Sequence, residues 1–294
     1  MIVAVASGKG GTGKTTVSVN LARVLDRDVQ LLDCDVEEPN CHLFLSGTVS
    51  ATDVVSIPIP KVAMTRCDGC GECSRFCAYH AIAIIGGKPL IFPDLCHGCG
   101  GCLLVCPPMA ISETPNRIGV VETVLAGTIT LLQGRLDVGK AMAPPLIRAV
   151  KNRLRPDLPA ILDAPPGTSC PVITTLRGTD VVVLVTEPTP FGLHDLRLAV
   201  DMVRELHIPF GVVINRMGVG DDRVHRFCQT EKIPMLLEIP DDRRIAEAYS
   251  RGHLIVDALP EYRGLFLRLM EKIELLKNAG RETPAEKPSR GGQP

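Results

Sequence analysis

The sequence of 294 residues has almost no net charge, because 32 lysines and arginines stand against 33 aspartates and glutamates. Without a basic excess there is little to attract a phosphate backbone, so nucleic acid is not an expected partner. No apolar run approaches the roughly 18 residues that a membrane span needs. The N-terminus also lacks the basic start and long apolar core of a signal peptide. The sequence therefore predicts a soluble, cytoplasmic protein for which membrane contact is not expected.

Cysteine, by contrast, is abundant. Of the 12 cysteines, eight fall between residues 67 and 106. Disulfides are rare in the cytosol, where closely spaced cysteines more often bind metal. We therefore interpret the dense group as a metal site.

Outside this group, the hydrophobic pattern is that of an α/β domain. Short β-branched runs alternate with longer helical patterns, which is typical of a mostly parallel sheet covered by helices. The predicted strands are residues 2–6, 29–32, 160–162, 181–185, 210–214 and 235–239. The predicted helices include residues 15–25, 192–206 and 242–250, and a further helix is expected within residues 140–153. Residues 117–133 are expected to be extended chain with turns.

The alternation stops between about residues 57 and 114, where cysteine, glycine and proline prevail. This stretch contains a duplication: its first four cysteines recur 29 residues later. We predict a domain formed by residues 1–56 and 115–279, interrupted by a duplicated α+β module of residues 57–114. Residues 280–294 are rich in proline, glycine and charge and are predicted to be disordered.

A glycine-rich loop follows the first predicted strand and precedes the first predicted helix. It satisfies the pattern G-x-x-x-x-G-K-[ST], whose backbone N–H groups and helix dipole bind phosphate oxygens. Lys14 is expected to neutralise the β- and γ-phosphates, and Thr15 to place its hydroxyl on Mg²⁺. The loop thus predicts binding of ATP or ADP with Mg²⁺. The expected contacts are Gly8, Lys9, Gly10, Gly11, Thr12, Gly13, Lys14, Thr15 and Thr16.

The two cysteine repeats resemble the bacterial ferredoxin pattern. In that pattern three cysteines of one repeat bind a [4Fe-4S] cluster, and the fourth binds the other cluster. The resemblance implies one cluster on Cys67, Cys70, Cys73 and Cys106, and a second on Cys96, Cys99, Cys102 and Cys77. Zinc is the alternative, but four ligands per zinc ion do not explain the third cysteine of each triplet or the crossed fourth.

Lys9 distinguishes the loop from an ordinary P-loop. The run from Lys9 to Thr15 resembles the deviant Walker A signature of the MinD, ParA, Mrp and nitrogenase iron-protein superfamily. In that superfamily the early lysine crosses a dimer interface and acts on the partner's nucleotide as an arginine finger does. The resemblance implies a Mg²⁺-dependent ATPase in which Lys9 and Lys14 are catalytic. It also implies a homodimer, with a heterodimer with a paralogue left open.

Further nucleotide-site residues follow from the same resemblance. Asp33 and Asp35 match the first switch, in which Asp35 orients the attacking water and Asp33 supports the metal site. Asp163 matches the Walker B aspartate that holds Mg²⁺ through water. Gly167 matches the second-switch glycine whose N–H meets the γ-phosphate. The residues matched to the adenine side of the site are Asn215, Pro240 and Asp241.

Four cysteines lie outside the repeats. Cys34, Cys41 and Cys228 are interpreted as packing residues, the last two within helices. Cys170 follows Asp163 at the spacing of a bridging-cluster ligand in the nitrogenase iron protein, but a second matching cysteine is missing from the sequence. A role at a helix start is therefore favoured for Cys170.

The resemblance covers residues 1 to about 276 and implies an ATPase joined to an electron-transfer module. The leading hypothesis is an ATPase that couples its nucleotide state to electron transfer or metal-cofactor assembly, with a redox or assembly protein as partner. An Mrp-like iron-sulfur scaffold or carrier is the first alternative. A MinD-like positioning ATPase is the second, and it would use an apolar stripe of Leu265, Leu269, Ile273 and Leu276, a pattern more often found in core packing.

Overall fold

A computed structural model describes residues 1–282 of the chain. A sheet of nine strands and a separate hairpin of two strands account for the β-structure of this part. The strands are β1 (Ile2–Ala6), β2 (Val29–Asp33), β3 (Thr48–Val62), β4 (Ile82–Ile85), β5 (Lys88–Ile91), β6 (Ile111–Ala126), β7 (Ile129–Leu136), β8 (Ala160–Asp163), β9 (Val181–Thr186), β10 (Phe210–Met217) and β11 (Met235–Pro240).

Ten α-helices are assigned within residues 1–282, together with short 3₁₀ turns at Cys41–Phe44, Pro93–Leu95 and Pro260–Tyr262. The helices are α1 (Lys14–Val24), α2 (Glu72–Phe76), α3 (Gly101–Leu104), α4 (Ala143–Lys151), α5 (Cys170–Leu176), α6 (Pro190–Glu205), α7 (Arg223–Thr230), α8 (Arg243–Ser250), α9 (Ile255–Ala258) and α10 (Arg263–Glu282). The long helices lie where the periodicity predicts them.

The large sheet has the order β11-β10-β9-β1-β8-β2-β7-β6-β3. Neighbours from β11 to β7 are parallel, whereas β6 and β3 add an antiparallel edge. The α/β prediction with a mostly parallel sheet is confirmed. The six predicted strands are all present. Strands β6 and β7 include the residues predicted as extended chain, whereas the edge strand β3 is not predicted from the sequence.

Two apolar layers cover the parallel strands. Val3, Leu31 and Ile161 face the layer that contains α1 and α10, whereas Ala4, Leu32 and Leu162 face the layer that contains α4, α5 and α6. These residues alternate along each strand because successive side chains point to opposite faces. Burial on both faces explains why the strands read as nearly continuous apolar runs.

An antiparallel arm joins the sheet to the cysteine module. β3 pairs with β6 from Thr48 to Val62, but β7 covers β6 only from Gly119 onward. The remaining seven residue pairs of β3 and β6 extend beyond β7, a length of roughly 23 Å at the usual rise per strand residue. Both predicted module boundaries, at residues 57 and 114, fall within this arm, so the strands are continuous from the large sheet to the cysteines.

The last helix, α10, packs on the large sheet. Leu269 and Ile273 are fully buried in the same layer as α1, and Leu265 and Leu276 pack against that layer. The helix runs to Glu282, so it includes the first residues of the segment predicted to be disordered. Residues 283–294 lie outside the described part of the chain. Within residues 1–282, α-helices long and apolar enough to cross a membrane are absent.

Candidate functional site

The glycine-rich loop connects β1 to α1 at the carboxyl end of the sheet. Gly11 and Gly13 have φ values of 77° and 94°, a left-handed backbone that a side chain would strain. Gly8 has another reason to be glycine, because a Cβ there would lie 2.2 Å from the carbonyl oxygen of Asp195. The turn therefore leaves the backbone close to α6 and directs it around an open cleft.

The cleft has a volume of about 430 Å³ and is lined by loops that follow several parallel strands. Most residues that the sequence assigns to nucleotide binding line it. These are Gly10, Gly11, Gly13, Lys14, Thr15, Thr16, Asp35, Asn215, Pro240 and Asp241. The predicted contacts outside the lining are Gly8, Lys9, Thr12, Asp33, Asp163 and Gly167.

Asp163 and Thr15 form the predicted magnesium position. The Thr15 hydroxyl donates to Asp163 Oδ2 at 2.6 Å, and the Ser18 hydroxyl donates to Oδ1 at 2.7 Å. Burial raises the pKa of Asp163, while these hydroxyl groups and Lys14 oppose the rise. A hydroxyl and a carboxylate are oxygen ligands of the kind that Mg²⁺ takes, so the donor set fits this ion.

Two residues at this position escape sequence analysis. Ser18 lies one helical turn after Thr15 on the same face of α1, a spacing that could have identified it. Cys41, interpreted from sequence as a helical packing residue, instead begins a 3₁₀ turn, and its Sγ lies 3.6 Å from Asp163 Oδ2. The thiol is buried, and burial raises its pKa well above the usual value, so Cys41 acts as a weak donor to the carboxylate.

Asp33 anchors the loop that follows β2. Its carboxylate accepts backbone N–H bonds from Asp35, Asn40 and Cys41 at 2.9–3.1 Å. Complete burial, followed by the nearby charge of Asp163, raises the pKa of Asp33 to about 7. Asp33, Cys41 and Asp163 bring one ligand atom each to within 4.8 Å of one another. The side chain thus lies beside the predicted magnesium position and fixes the backbone around Asp35.

Asp35 lines the cleft opposite the phosphate-binding loop. Burial raises its pKa to about 6, and the Lys14 ammonium opposes the rise. A carboxylate at this edge can accept a hydrogen bond from water near a bound phosphate, which is the role that the resemblance assigns to Asp35.

Gly167 and Asn215 both form hydrogen bonds within the chain. The Gly167 N–H donates to the Ser7 carbonyl at 3.0 Å, so contact with a phosphate requires the loop to move. The Asn215 amide donates to the Thr12 carbonyl at 2.9 Å, and its oxygen accepts from the Arg216 N–H. Asn215 therefore also braces the phosphate-binding loop, a role that its strand-end position does not reveal.

The wall of the cleft near Pro240 and Asp241 includes the start of α8. Asp242 caps this helix by accepting from the Arg244 N–H at 2.8 Å, and Ile245 and Tyr249 complete the wall. Sequence analysis names only Pro240 and Asp241 in this wall. It does not predict the cap or the contribution of Ile245 and Tyr249, whose spacing on α8 is the only signal.

Lys9 is not among the residues that line the cleft, and it pairs within its own chain. Its Nζ lies 3.3 Å from Glu187 Oε2, and Arg216 lies 3.0 Å from the other oxygen of the same carboxylate. Glu187 is largely buried, at 11% side-chain exposure, between these two cations. Sequence analysis does not identify Glu187, which follows β9 without a recognisable motif.

The module at the end of the arm has two cavities, each bordered by four cysteines. One is bordered by Cys67, Cys70, Cys73 and Cys106. The other is bordered by Cys77, Cys96, Cys99 and Cys102. Each cavity thus brings together three cysteines of one repeat and the last cysteine of the other. The presence of iron and sulfide in these cavities stays a prediction.

The chemistry of the cavities fits thiolate-ligated clusters. Backbone N–H groups donate to sulfur in both halves, from Ala81 to Cys77 at 3.4 Å and from Ala110 to Cys106 at 3.3 Å. Burial, followed by the neighbouring thiols, raises the pKa of Cys102 to about 11, so without metal this thiol keeps its proton. Four sulfur donors per cavity, with N–H groups directed at sulfur, are the features that iron-sulfur sites use.

The four remaining cysteines are separate from the module. Cys34 and Cys228 are buried in the apolar layer that contains α4, as packing residues. Cys170 is exposed at the first position of α5. Among the described residues, Cys170 does not belong to a group of three or more side chains that could hold a metal ion.

Comparison with known proteins identifies a nucleotide-binding domain. Residues 3–255 match the model of the CobQ/CobB/MinD/ParA nucleotide binding domain. The chain belongs to this family. The matched range includes the cysteine module as well as the parallel strands.

Relatives are found among archaeal and bacterial proteins. The chain is 33% identical over 262 residues to a Methanocaldococcus jannaschii protein, "Uncharacterized protein MJ0579", covering 86% of this chain and 90% of that one. It is 24% identical to the iron-sulfur cluster carrier protein of Pyrococcus horikoshii, covering 95% and 88%. The structure of the septum site-determining protein MinD with Mg-ADP from the same organism matches with a TM-score of 0.57 and 20% identity, covering 95% and 98%. This structural likeness shows the shared fold.

Proposed function

We propose that this protein is a Mg²⁺-dependent ATPase that couples its nucleotide state to electron transfer through two [4Fe-4S] clusters, or to metal-cofactor assembly. The observation that carries the proposal is the arm. Strands β3 and β6 belong to the large sheet at one end and lead directly to the cysteine cavities at the other. A single polypeptide thus connects the phosphate-binding cleft to both sets of cysteines.

The ATPase half of the proposal rests on the cleft residues. Lys14 would neutralise the phosphates of ATP, and Thr15 with Asp163 would hold Mg²⁺. Asp35 would accept a hydrogen bond from the attacking water. Lys9 would leave Glu187 and act on the nucleotide of a second subunit, which makes the active form a dimer.

The redox half rests on the eight cysteines. When bound, two four-iron clusters supply one-electron transfer. The chain would hold each cluster by three cysteines of one repeat and one of the other, which ties the two halves of the module together. Because Cys70 and Cys99 are exposed, each cavity has a ligand at the surface where a redox protein could approach.

The proposal is tested by following the clusters while the nucleotide is changed. Anaerobically purified protein would be titrated potentiometrically, with electron paramagnetic resonance detection, in apo, ADP and non-hydrolysable ATP states. A coupling free energy of about 1–3 kcal/mol is common between linked sites. A tenfold change in an equilibrium constant corresponds to about 59 mV for a one-electron couple. Shifts of tens of millivolts are therefore expected. Potentials and spectra that are indifferent to nucleotide would overturn the coupling.

An iron-sulfur carrier is the second candidate, favoured by several relatives at 24–26% identity that are named iron-sulfur cluster carrier proteins. Clusters held by four cysteines each are expected to stay bound, whereas a carrier must release its cluster. Incubation of the loaded protein with an apo-ferredoxin separates the two functions. Retention of iron by this chain supports electron transfer. Stoichiometric transfer of its iron to the apo-ferredoxin supports the carrier function.

Positioning on a membrane is less well supported. The apolar stripe of α10 that would contact lipid is already used, because Leu269 and Ile273 are fully buried against the sheet.

A further inference from the structure

Helix α4 lies between the two switch segments and the arm, and it packs very closely on β6 and β7. A Cβ on Gly119 of β6 would lie 2.9 Å from Leu146 Cδ2, and a Cβ on Gly134 of β7 would lie 2.9 Å from Val150 Cγ2. A side chain at either position would force its neighbours to shift, and at Gly119 the nearest atom is the Arg135 carbonyl oxygen of β7, at 2.4 Å. Helix α4 is therefore packed closely against both strands.

The first switch and α4 both lie close to Gly134. Val36, the residue after Asp35, has its Cγ1 2.5 Å from the position of a Cβ on Gly134. Its carbonyl accepts from the Leu136 N–H at 2.8 Å. The backbone that follows Asp35 is thus hydrogen-bonded to the end of β7, on which α4 packs.

The second switch meets α4 through Lys151. The Lys151 ammonium donates to the carbonyls of Thr174, Thr175 and Arg177 at 2.9, 2.7 and 2.6 Å. These are carbonyls at the end of α5, where the helix dipole favours a cation. Burial lowers the pKa of Lys151, with partial compensation from Cys34. Since α5 begins three residues after Gly167, this one side chain fixes the far end of the segment that follows the γ-phosphate sensor.

The carboxyl end of α4 also reaches the outer strand of the arm. Arg153 donates to Asp53 of β3 at 2.9 Å and to the Ala149 carbonyl at 2.7 Å. Lys151 and Arg153 are two residues apart, so neighbouring side chains bind α5 and β3. The helix thereby has contacts with both switch segments and with all three strands β3, β6 and β7.

We infer that Lys151 is a positioning residue that joins the second switch to the arm, and that α4 transmits the nucleotide state to the cysteine module. The inference rests on the proposed function. Closure of the loop on a γ-phosphate breaks the bond from Gly167 to Ser7 and displaces α5. Three hydrogen bonds to Lys151 carry that displacement into α4, and the close packing at Gly119 and Gly134 carries it into the arm.

The test compares Lys151→Met, which keeps the length of the side chain but removes its donors, with Lys151→Arg, which keeps them. Arg148→Met is the matched control, because Arg148 is an exposed cation on the same helix. Hydrogen exchange of residues 48–62 and 111–126 would be measured in the anaerobic, full-length protein without nucleotide, with ADP and with non-hydrolysable ATP. Cluster potentials would be measured in the same samples.

We expect the wild type, Lys151→Arg and Arg148→Met to show a nucleotide-dependent change in exchange along the arm and in potential. Lys151→Met should bind ATP and retain its iron but lose that change. A Lys151→Met protein that responds as the wild type does overturns the inference. If this variant does not fold, Lys151→Gln takes its place, because its shorter neutral side chain cannot reach the three carbonyls at the end of α5. An undiminished response in Lys151→Gln also overturns the inference.

The wild type alone separates this inference from the proposed function. If nucleotide changes neither the hydrogen exchange of the arm nor the cluster potentials of the wild-type protein, the proposed function itself is contradicted. A responsive wild type with a responsive Lys151→Met variant leaves the proposed function in place and removes only the route through α4.

Discussion

Lys9 and Glu187 form an ion pair within one chain, with 3.3 Å between Nζ and Oε2. The superfamily resemblance assigns Lys9 to the nucleotide of a partner subunit, so this contact must open before the lysine can act in that way. Arg216 remains on the other oxygen of Glu187, so the buried carboxylate keeps one cation after Lys9 leaves. The single chain therefore holds Lys9 in a resting position.

Lys9 and Lys14 are predicted to have separable roles. Lys14→Ala should abolish nucleotide binding, because Lys14 faces the phosphates of its own chain. Lys9→Ala should leave binding largely intact and suppress hydrolysis, because its charge is needed on the partner's nucleotide. Calorimetry and steady-state ATPase assays measure the two effects. An equal loss of affinity in both variants contradicts the trans role.

Glu187 is predicted to restrain the active dimer. Glu187→Gln weakens the hold on Lys9, so the ATPase rate per subunit should reach half its maximum at a lower protein concentration than in the wild type. Glu231→Gln is the control, because it removes a surface ion pair with Arg204. An unchanged concentration dependence of Glu187→Gln would show that the ion pair does not compete with dimerisation.

Much of the ATPase domain is readable from sequence because its signals are local. Gly13 must have positive φ at the start of α1, and Asp33 and Asp163 end buried apolar strands. Periodicity finds the parallel strands since their runs are apolar throughout. The edge strand β3 is different, because it is exposed on most of its length and contains Pro58 and Pro60. Its pairing is dictated by β6, far away in sequence.

The contacts between distant segments could not be read in this way. Cys41 and Asp163 are 122 positions apart, and their proximity depends on how the loop after β2 folds over α1. Glu187 and Lys151 make their contacts through side chains from unrelated elements, without spacing or motif. Tertiary packing, rather than propensity, determines these positions.

The pKa of Asp35 predicts the acid limb of the ATPase pH profile. Burial raises this pKa to about 6, and the ionised carboxylate is the form that accepts a hydrogen bond from water. Below pH 6 the group is protonated in the free enzyme, so kcat/KM should fall as pH decreases through about 6. Asp35→Asn should remove most of the hydrolysis while retaining ATP binding. A profile that is flat from pH 5 to 8 contradicts this assignment.

The burial of the α10 stripe predicts a strong contrast between two neighbouring residues. Ile273 is fully buried, whereas Leu275 is 67% exposed. Ile273→Ala should lower the free energy of unfolding by about 2–5 kcal/mol, because it leaves a cavity. Leu275→Ala should change it by less than about 0.5 kcal/mol. Denaturant unfolding followed by circular dichroism measures both. If both substitutions change the free energy of unfolding by a similarly small amount, α10 is not part of the core.

The crossed grouping of cysteines predicts which cluster each substitution damages. The anaerobic protein should contain about eight irons and eight sulfides, as expected for two cubanes. Cys106→Ser should damage the cluster held by Cys67, Cys70 and Cys73, because these four residues border one cavity. Iron analysis and electron paramagnetic resonance of the reduced protein would report the loss of one cluster and the survival of the other.

Two further variants make that assignment decisive. Cys77→Ser should damage the other cluster, so the double variant with Cys106→Ser should affect both signals. Cys170→Ser is the control, because Cys170 is exposed at the start of α5 and lies outside both cavities. Loss of the cluster nearest to Cys106 in sequence, with survival of the cluster on Cys67, Cys70 and Cys73, contradicts the crossed arrangement. Each repeat would then bind its own metal, and zinc or an uncrossed cluster would explain the spacing better.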